Sequence, residues 1–392
     1  MAPARDALLL CVASAAVAAS PAPASALPLL PASLQAASDA RLGPFVLNGE
    51  GDADAAVALG GGEAEDQGLV LDIALRGSAE AFTDNGLRYG LEIQLGLRRD
   101  PAREGLSRVV PGAAGSGGAV SGLPADPARI DETRAGIETA AVFLKGPWGE
   151  VRAGRGEGAA ALEAAALPGA FRLMRADDAR ADLSGLAAAR TRDTLSGRAA
   201  KLTVRSARLF GLRASASYTP DADDCSLDHC PEGRVAAEGV VEAGLSFDYA
   251  PPGAGRWSLS VGASRGGADP APGLPPGVAE DPHALSARAG WRKGDLSLGA
   301  GWLRSNEGLA EGRYEAWSVS ASLERGDWLW AAEASRADVE PASLDVTAVQ
   351  LGASRLLPGG AIAGLGWTRL DEDAPGGGRE TAFLFVAAGL RF

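Results

Sequence analysis

The chain has 392 residues and a formal net charge of −13, from 37 basic and 50 acidic side chains. This acidic balance argues against a nucleic-acid-binding protein, which needs a basic face. Only 2 histidines and 3 cysteines are present, which nearly excludes a metal centre built from several of them. With 53 glycines and 46% apolar residues, the composition is poor for a thick soluble core but is not that of a disordered chain.

The first 26 residues predict a secretory signal peptide. Arg5 precedes an apolar stretch from Ala7 to Ala19, and the small residues Ala24-Ser25-Ala26 follow as a cleavage pattern. Prolines interrupt this region before about 20 apolar residues accumulate, which argues against a membrane-spanning helix. We expect cleavage between residues 19 and 26, no spanning helix beyond it, and a mature chain over 27–392.

Beyond Leu42 the dominant pattern is alternation with a period of two. From Leu87 to Leu97 every second residue is Leu, Tyr or Ile, and the residues between them are Arg, Gly, Glu and Gln. This pattern predicts a strand of about 11 residues with one apolar face, and the last strand, Ala382 to Phe392, shows the same alternation. The period alone fits a soluble sandwich or a membrane barrel, because both have one apolar strand face.

The lengths of the connections between strands distinguish the sandwich from the barrel. Short turns such as 83–86 and 292–295 alternate along the chain with longer polar connections such as 100–132. Segregated short and long connections and about 16 strands are the plan of an all-β transmembrane antiparallel β-barrel. Aromatic residues near the strand ends suit the two water–lipid interfaces. They are Tyr89, Tyr218, Tyr249, Trp257, Trp291, Trp302, Tyr314, Trp328 and Trp367.

Three short segments resemble the trimeric general-diffusion porins of Gram-negative outer membranes. They are residues 142–155, which contain Lys145-Gly146-Pro147-Trp148-Gly149, the turn from Asp84 to Gly90, and the closing Gly389-Leu390-Arg391-Phe392. The resemblance implies a sixteen-stranded barrel in the bacterial outer membrane, assembled as a homotrimer, with the third long loop folded inward. It also implies that Phe392 is the assembly signal. The implied partners are outer-membrane lipid, lipopolysaccharide and the barrel-assembly machinery.

The longest connection, 156–198, is third among the long loops, and we predict that it constricts the pore. A loop of this length is usually functional or disordered, so an exposed flexible loop is the alternative. Its acidic residues are candidates for lining the pore, and arginines on the polar strand faces are candidates for the opposite wall. The carboxylates are Glu157, Glu163, Asp177, Asp178 and Asp182, and the arginines are Arg88, Arg98, Arg134, Arg152, Arg205 and Arg213. Opposed charged walls would set a transverse field and an ion preference; alternatively, these arginines pair with Glu92, Glu138 and Glu150.

The other long loops carry mainly acidic residues. As an outer rim they could bind Ca²⁺ or concentrate cations, although acidic residues also simply keep loops soluble. Cys225 and Cys230 lie in one of these loops. In an oxidising compartment we expect them to form a local disulfide, because a metal site that adds His229 would crowd three ligands into a few residues.

The sequence therefore predicts a porin, a water-filled channel for passive diffusion of small hydrophilic solutes and ions, with no enzymatic activity and no required cofactor. One alternative is a barrel with a closed lumen and a structural or binding role. Another is a barrel hydrolase, in which Asp281 and His283 would activate water. Ser286 lies three residues from His283, so in a strand the two side chains point to opposite faces, which weakens a lipase mechanism.

Overall fold

The computed structural model describes residues 40–42, 44–59, 69–99, 133–181, 183, 189–222, 235–270, 277–310, 312–340, 343–373 and 377–391. The signal segment 1–26, Asp182, Cys225, Cys230 and Phe392 lie outside these ranges. Within the described part of the chain, no helix is long and apolar enough to cross a membrane.

Strands make up almost all of the described secondary structure. They are β1 (Ala40–Leu42), β2 (Phe45–Ala58), β3 (Val70–Phe82), β4 (Arg88–Arg99), β5 (Thr133–Gly146), β6 (Gly149–Arg155), β7 (Ala200–Ser206), β8 (Leu212–Asp221), β9 (Val235–Tyr249), β10 (Arg256–Pro270), β11 (His283–Lys293), β12 (Leu296–Ser305), β13 (Tyr314–Arg325), β14 (Trp328–Val339), β15 (Leu344–Leu356), β16 (Ala361–Asp373) and β17 (Arg379–Arg391). One short helix, α1 (Ala159–Glu163), and a 3-10 turn, Pro358–Gly360, accompany them.

The strands β2 to β17 form a closed antiparallel barrel of sixteen strands, which confirms the predicted fold class. Each strand pairs with its neighbour in sequence. The last strand closes the barrel on the first, with Arg391 opposite Asp52 and Phe385 opposite Ala58. The three-residue β1 only adds a small hairpin to the start of β2. Closure matters because it leaves no unpaired backbone edge in the lipid.

Short and long connections lie at opposite ends of this barrel. The turns at the short end contain two to six residues, and the connection between β6 and β7 at the long end runs from residue 156 to 199. Gly294 and Gly326 occupy the first position of two-residue turns with φ of 58° and 62°. Glycine adopts this backbone at no steric cost, and it matches the twist of the paired strands.

The exposure of the strand residues confirms the apolar outer face and the polar inner face that the alternation predicts. On β4, Leu91 is 43% exposed on the outer face, whereas Gln94 is 6% exposed on the inner face. Tyr249, Trp257 and Trp328 are exposed outside near the short turns. Tyr314 was expected among these interfacial rings, but it is fully buried inside the barrel, where its hydroxyl accepts a hydrogen bond from the Arg190 amide (2.8 Å).

One irregularity changes the inner face of β5. Gln94 pairs with Thr139 and Leu95 pairs with Ile137, so Glu138 is an extra, bulged residue. A bulge re-aims a side chain and switches the phase of the strand. Here it turns the Glu138 carboxylate into the barrel, where Gln94 Nε2 donates to it at 2.6 Å.

Candidate functional site: the pore lining

Residues 156–199, which we call the pore segment, hydrogen-bond to inner-face side chains on many strands. The amide of Ala159 donates to Ser217 Oγ on β8 (2.9 Å), and the amide of Ala165 donates to Ser260 Oγ on β10 (2.8 Å). Gly244 on β9 leaves space for this approach, because a Cβ there would lie 2.4 Å from the Ala159 carbonyl oxygen. The small residues of α1 therefore pack directly on the barrel wall.

Apolar packing holds the middle of the pore segment. Phe171 packs edge-on against Phe385 of β17, with ring centroids 5.0 Å apart. Leu173, Met174 and Leu183 are buried in the same cluster. Burial of such side chains contributes roughly 1.5–3 kcal/mol each, so these contacts stabilise the segment against the wall formed by the last strands and the first.

Arginines of the pore segment also pair with carboxylates on the strands. Arg172 donates to Asp54 (2.6 Å) and pairs with Asp52 on β2. Arg175 donates to Glu333 on β14 (2.9 Å), and Arg180 donates to Asp72 on β3 (3.2 Å). Sequence reasoning did not single out Asp52, Asp54 or Asp72, although the alternation along β2 and β3 places them on the inner face.

Asp177 and Asp178 form a buried cluster with Arg288 of β11. Arg288 Nη2 lies 2.8 Å from Asp177 Oδ2 and also contacts Asp178. Thr191 Oγ1 and Ser318 Oγ donate to Asp177 at 2.6 and 3.0 Å. Burial and the adjacent Asp178 raise the pKa of Asp177 to about 6. The structure therefore places these two carboxylates against β11, away from the early-strand arginines that they were expected to face.

The returning part of the pore segment contains two carboxylates in contrasting surroundings. Glu157 accepts from Arg192 (2.8 Å) and Arg198 (3.5 Å), and these charges hold its pKa well below the usual range. Asp193 is fully buried and accepts from Ser264 Oγ (2.9 Å). Burial and the neighbouring Glu242 raise the pKa of Asp193 to about 7. Glu157 thus carries a charge at neutral pH, whereas Asp193 gains and loses its proton close to neutral pH.

The predicted arginine wall lies on the inner faces of β4 to β8, and most of its members have carboxylate partners. Arg98 pairs with Glu138 (2.6 Å) and Asp72 (3.5 Å). Arg152 pairs with Glu92 (3.0 Å) and Glu150 (3.1 Å).

Three further members of this wall lie at the inner-face positions of their strands. Arg88 pairs with Glu80 (3.5 Å), and Arg134 and Arg213 are half-buried. Of the pore-segment carboxylates named from the sequence, Glu163 contacts this wall, through Arg205 (2.5 Å).

Comparison with known proteins gives the family. A profile of Gram-negative porins matches residues 7–377. The chain belongs to the Gram-negative porin family. As a member, it is an outer-membrane protein that forms a channel for diffusion. A comparison with curated proteins gives no match.

Solved structures agree with the fold of this porin. An anion-selective porin from Comamonas acidovorans is 15% identical, with a TM-score of 0.56 over 89% of this chain and 100% of the other. A porin refined at 1.8 Å resolution is 17% identical, with a TM-score of 0.54 over 88% and 100%. OmpT of Vibrio cholerae is 9% identical, with a TM-score of 0.54 over 90% and 100%. At these identities the likeness concerns the barrel itself.

Two cavities formed by described residues lie in the lumen on the short-turn side of the pore segment. The larger one is about 580 Å³ and lies between residues 162–169 and the inner faces near the turns of β7 to β14. The smaller one is about 300 Å³ and lies beside Phe171 and Arg391. Residues of the pore segment line both cavities.

The residues considered for hydrolysis do not converge. The Asp281 side chain is 55% exposed and pairs with Arg265 (3.5 Å). His283 is exposed on the outer face, whereas Ser286 is buried on the inner face. Among the described residues, no three His, Cys, Asp or Glu side chains are placed to hold a metal ion.

Proposed function

We propose that this porin passes small hydrophilic solutes through a lumen narrowed by the pore segment, and that it prefers anions. The observation that carries the preference is the unequal exposure of opposite charges. Arg76, Arg152 and Arg205 on the strands are 23–31% exposed, and Arg172, Arg180 and Arg192 on the pore segment are 22–28% exposed. Several of their carboxylate partners are almost completely hidden, with Asp52, Asp72 and Glu163 at 1–6%.

Water in the lumen therefore contacts guanidinium groups from both sides. The more exposed carboxylates Glu50, Glu92 and Glu157 are each held by an arginine, at 3.2, 3.0 and 2.8 Å, which neutralises their effect on a passing ion. Low-dielectric walls focus the field of the charges that remain in contact with water. Guanidinium groups also donate to oxyanions through several N–H groups at once. An anion therefore gains more from this lumen than a cation does.

The experiment is a reversal-potential measurement on purified protein in a planar bilayer with a KCl gradient. We expect stable channels and a reversal potential displaced toward the chloride equilibrium potential. A displacement toward the potassium equilibrium potential would contradict the anion preference. Absence of any stable channel would contradict the porin function itself.

The assembly and the lack of enzymatic activity are further parts of the proposal. The resemblance to trimeric porins supports a homotrimer, which the mass of the detergent-solubilised protein tests. The separation of His283 and Ser286 on opposite faces of β11 supports a protein without hydrolase activity. Peptide and ester hydrolysis assays on the purified barrel test this, with H283A as the matched variant.

A further inference from the structure

The larger lumen cavity has an unequal set of charged groups along one wall. Arg205, Arg208 and Arg256 line it together with two carboxylates, Glu163 and Asp248. Arg205 pairs with Glu163 (2.5 Å), and Asp248 is shared between Arg208 and Arg256, the latter at 3.5 Å. This wall therefore already has three guanidinium groups for two carboxylates.

A fourth arginine, Arg213, lies beside this wall. Among the described residues it has fewer hydrogen-bond and ion-pair partners than Arg205, Arg208 and Arg256. Arg213 lies directly opposite Ser246 in the β8–β9 register, and Arg208 Nη2 donates to the same Ser246 hydroxyl (3.3 Å). The Nε of Arg213 is buried and has no hydrogen-bond partner among the described residues. Two carboxylates that act on Arg213, Glu163 and Glu150, are already paired, with Arg205 and Arg152.

The cavity also has the size of a solute site and a neutral donor. Its volume, about 580 Å³, is within the range of roughly 300–1,000 Å³ that small-molecule sites occupy. The hydroxyl of Ser258 faces it beside the arginines, whereas the hydroxyl of Ser246 already donates to Glu163. Arginine forks match the geometry of phosphate oxygens and form strong charge-assisted hydrogen bonds with them.

We infer that the cavity lined by Arg205, Arg208 and Arg256, with Arg213 beside them on β8, is a subsite for solutes that carry a phosphate group. The other charged residues that line the cavity are paired, Arg292 with Glu324 (2.8 Å) and Arg175 with Glu333 (2.9 Å). The four arginines and the two carboxylates of the wall therefore leave an excess of two positive charges, which complements a phosphate monoester, a near-dianion at pH 8. A bound solute would lie on the short-turn side of the pore segment and delay the passage of chloride. The inference rests on the proposed channel function and adds a substrate class to it.

The test measures block of the chloride current through single channels at pH 8. Glucose 6-phosphate and inorganic phosphate are added separately, and glucose serves as the uncharged reference. We expect both phosphates to reduce the current at concentrations where glucose does not. Tighter block by the ester would identify the organic phosphate as the ligand, and equal block would identify the phosphate group alone. Block by neither compound would overturn the inference.

The variant R208Q/R213Q should raise the half-blocking concentration at least about tenfold, because charge-assisted hydrogen bonds are lost. The matched control is R355Q/R369Q, which removes the same charge from two side chains that are 46–50% exposed on the outer face. The half-blocking concentrations for this control variant should equal those for the wild type. R208K/R213K keeps the charge but not the fork and should give an intermediate value.

An unchanged half-blocking concentration in R208Q/R213Q would overturn the inference, while normal channels in KCl would leave the porin function intact. If that variant fails to insert, R256Q decides instead, because the side chain of Arg256 is 67% exposed and its replacement disturbs little packing. It should weaken block by about threefold, and unchanged block would count against the subsite.

Discussion

Replacement of Arg288 by glutamine should loosen the pore segment and make the open channel noisy. Arg288 is buried and donates to the segment at three places. Its guanidinium contacts Asp177 (2.8 Å) and Asp178, Thr191 Oγ1 (2.8 Å from Nη2) and the carbonyl oxygen of Ala165 (3.1 Å). In R288Q the two adjacent aspartates lose this cation while the Asp177 side chain, 4% exposed, stays buried.

The magnitude follows from the burial of this cluster. Removal of one partner from a buried ion pair costs about 3–5 kcal/mol, which corresponds to a change of roughly 150- to 4,500-fold in the ratio of anchored to released segment. Protonation of Asp177 relieves part of the repulsion, and its pKa is already raised to about 6. The noise in R288Q should therefore be larger at pH 8 than at pH 5.

The assay is the variance of the open-channel current in planar bilayers, measured at both pH values. R336Q is the control, because Arg336 and its partner Asp345 are 49% and 32% exposed on the outer face and such surface pairs contribute about 0–1 kcal/mol. The double variant R288Q/D178N should have a smaller variance of the open-channel current than R288Q, since one of the two unpaired charges is gone. A quiet R288Q channel with wild-type conductance at pH 8 would refute the anchoring role of Arg288.

Three other predictions concern the lumen and its assembly. Replacing Arg152 and Arg205 by alanine should shift the reversal potential toward the potassium value, because positive charge in contact with the lumen water is lost; an unchanged potential would show that these charges do not act on permeating ions. Because burial and Glu242 raise the pKa of Asp193 to about 7, the anchored segment binds a proton that a released one gives up, so its anchoring weakens as the pH rises from about 4 to 7. Current noise should therefore be larger at pH 8 than at pH 5, and D193N should reduce this difference to the part that comes from Asp177, whose pKa is raised to about 6. F392S should lower the amount of protein in outer-membrane fractions on immunoblots, and equal amounts would contradict the assembly role of this residue.

The barrel was predictable because its physical cause is local. Alternation along each strand assigns one face to lipid, and short turns must fit between paired strands, so β4 and the spacing of connections appear directly in the sequence. On β17 the alternation does not distinguish the lipid-facing side from the inner face as clearly, because apolar residues occur on both. Phe383 and Phe385 occupy its inner face, and their apolar character comes from packing against the pore segment rather than from contact with lipid.

The charge pairing was only partly predictable, because it depends on contacts between distant parts of the chain. Arg98 and Arg152 lie on the inner face as the alternation indicates, and they pair with Glu138 and Glu92 as the alternative reading suggested. The contact of Asp177 with Arg288 joins residues 111 positions apart. No spacing rule within a loop indicates which strand its carboxylates will meet, so the sequence could name Asp177 but not its partner.

The central claim is that the pore segment lies in the path of diffusing solutes. Replacement of residues 160–190 by a short glycine–serine linker removes the Phe171 packing, the Arg172 and Arg180 pairs and the Asp177 cluster together. Single-channel conductance in symmetric KCl tests the claim most directly, with gel migration before and after heating as a check that the barrel has formed. The conductance of this variant should be well above that of the wild type. An unchanged conductance in a correctly formed barrel would place the segment outside the pore and contradict its role in narrowing the lumen.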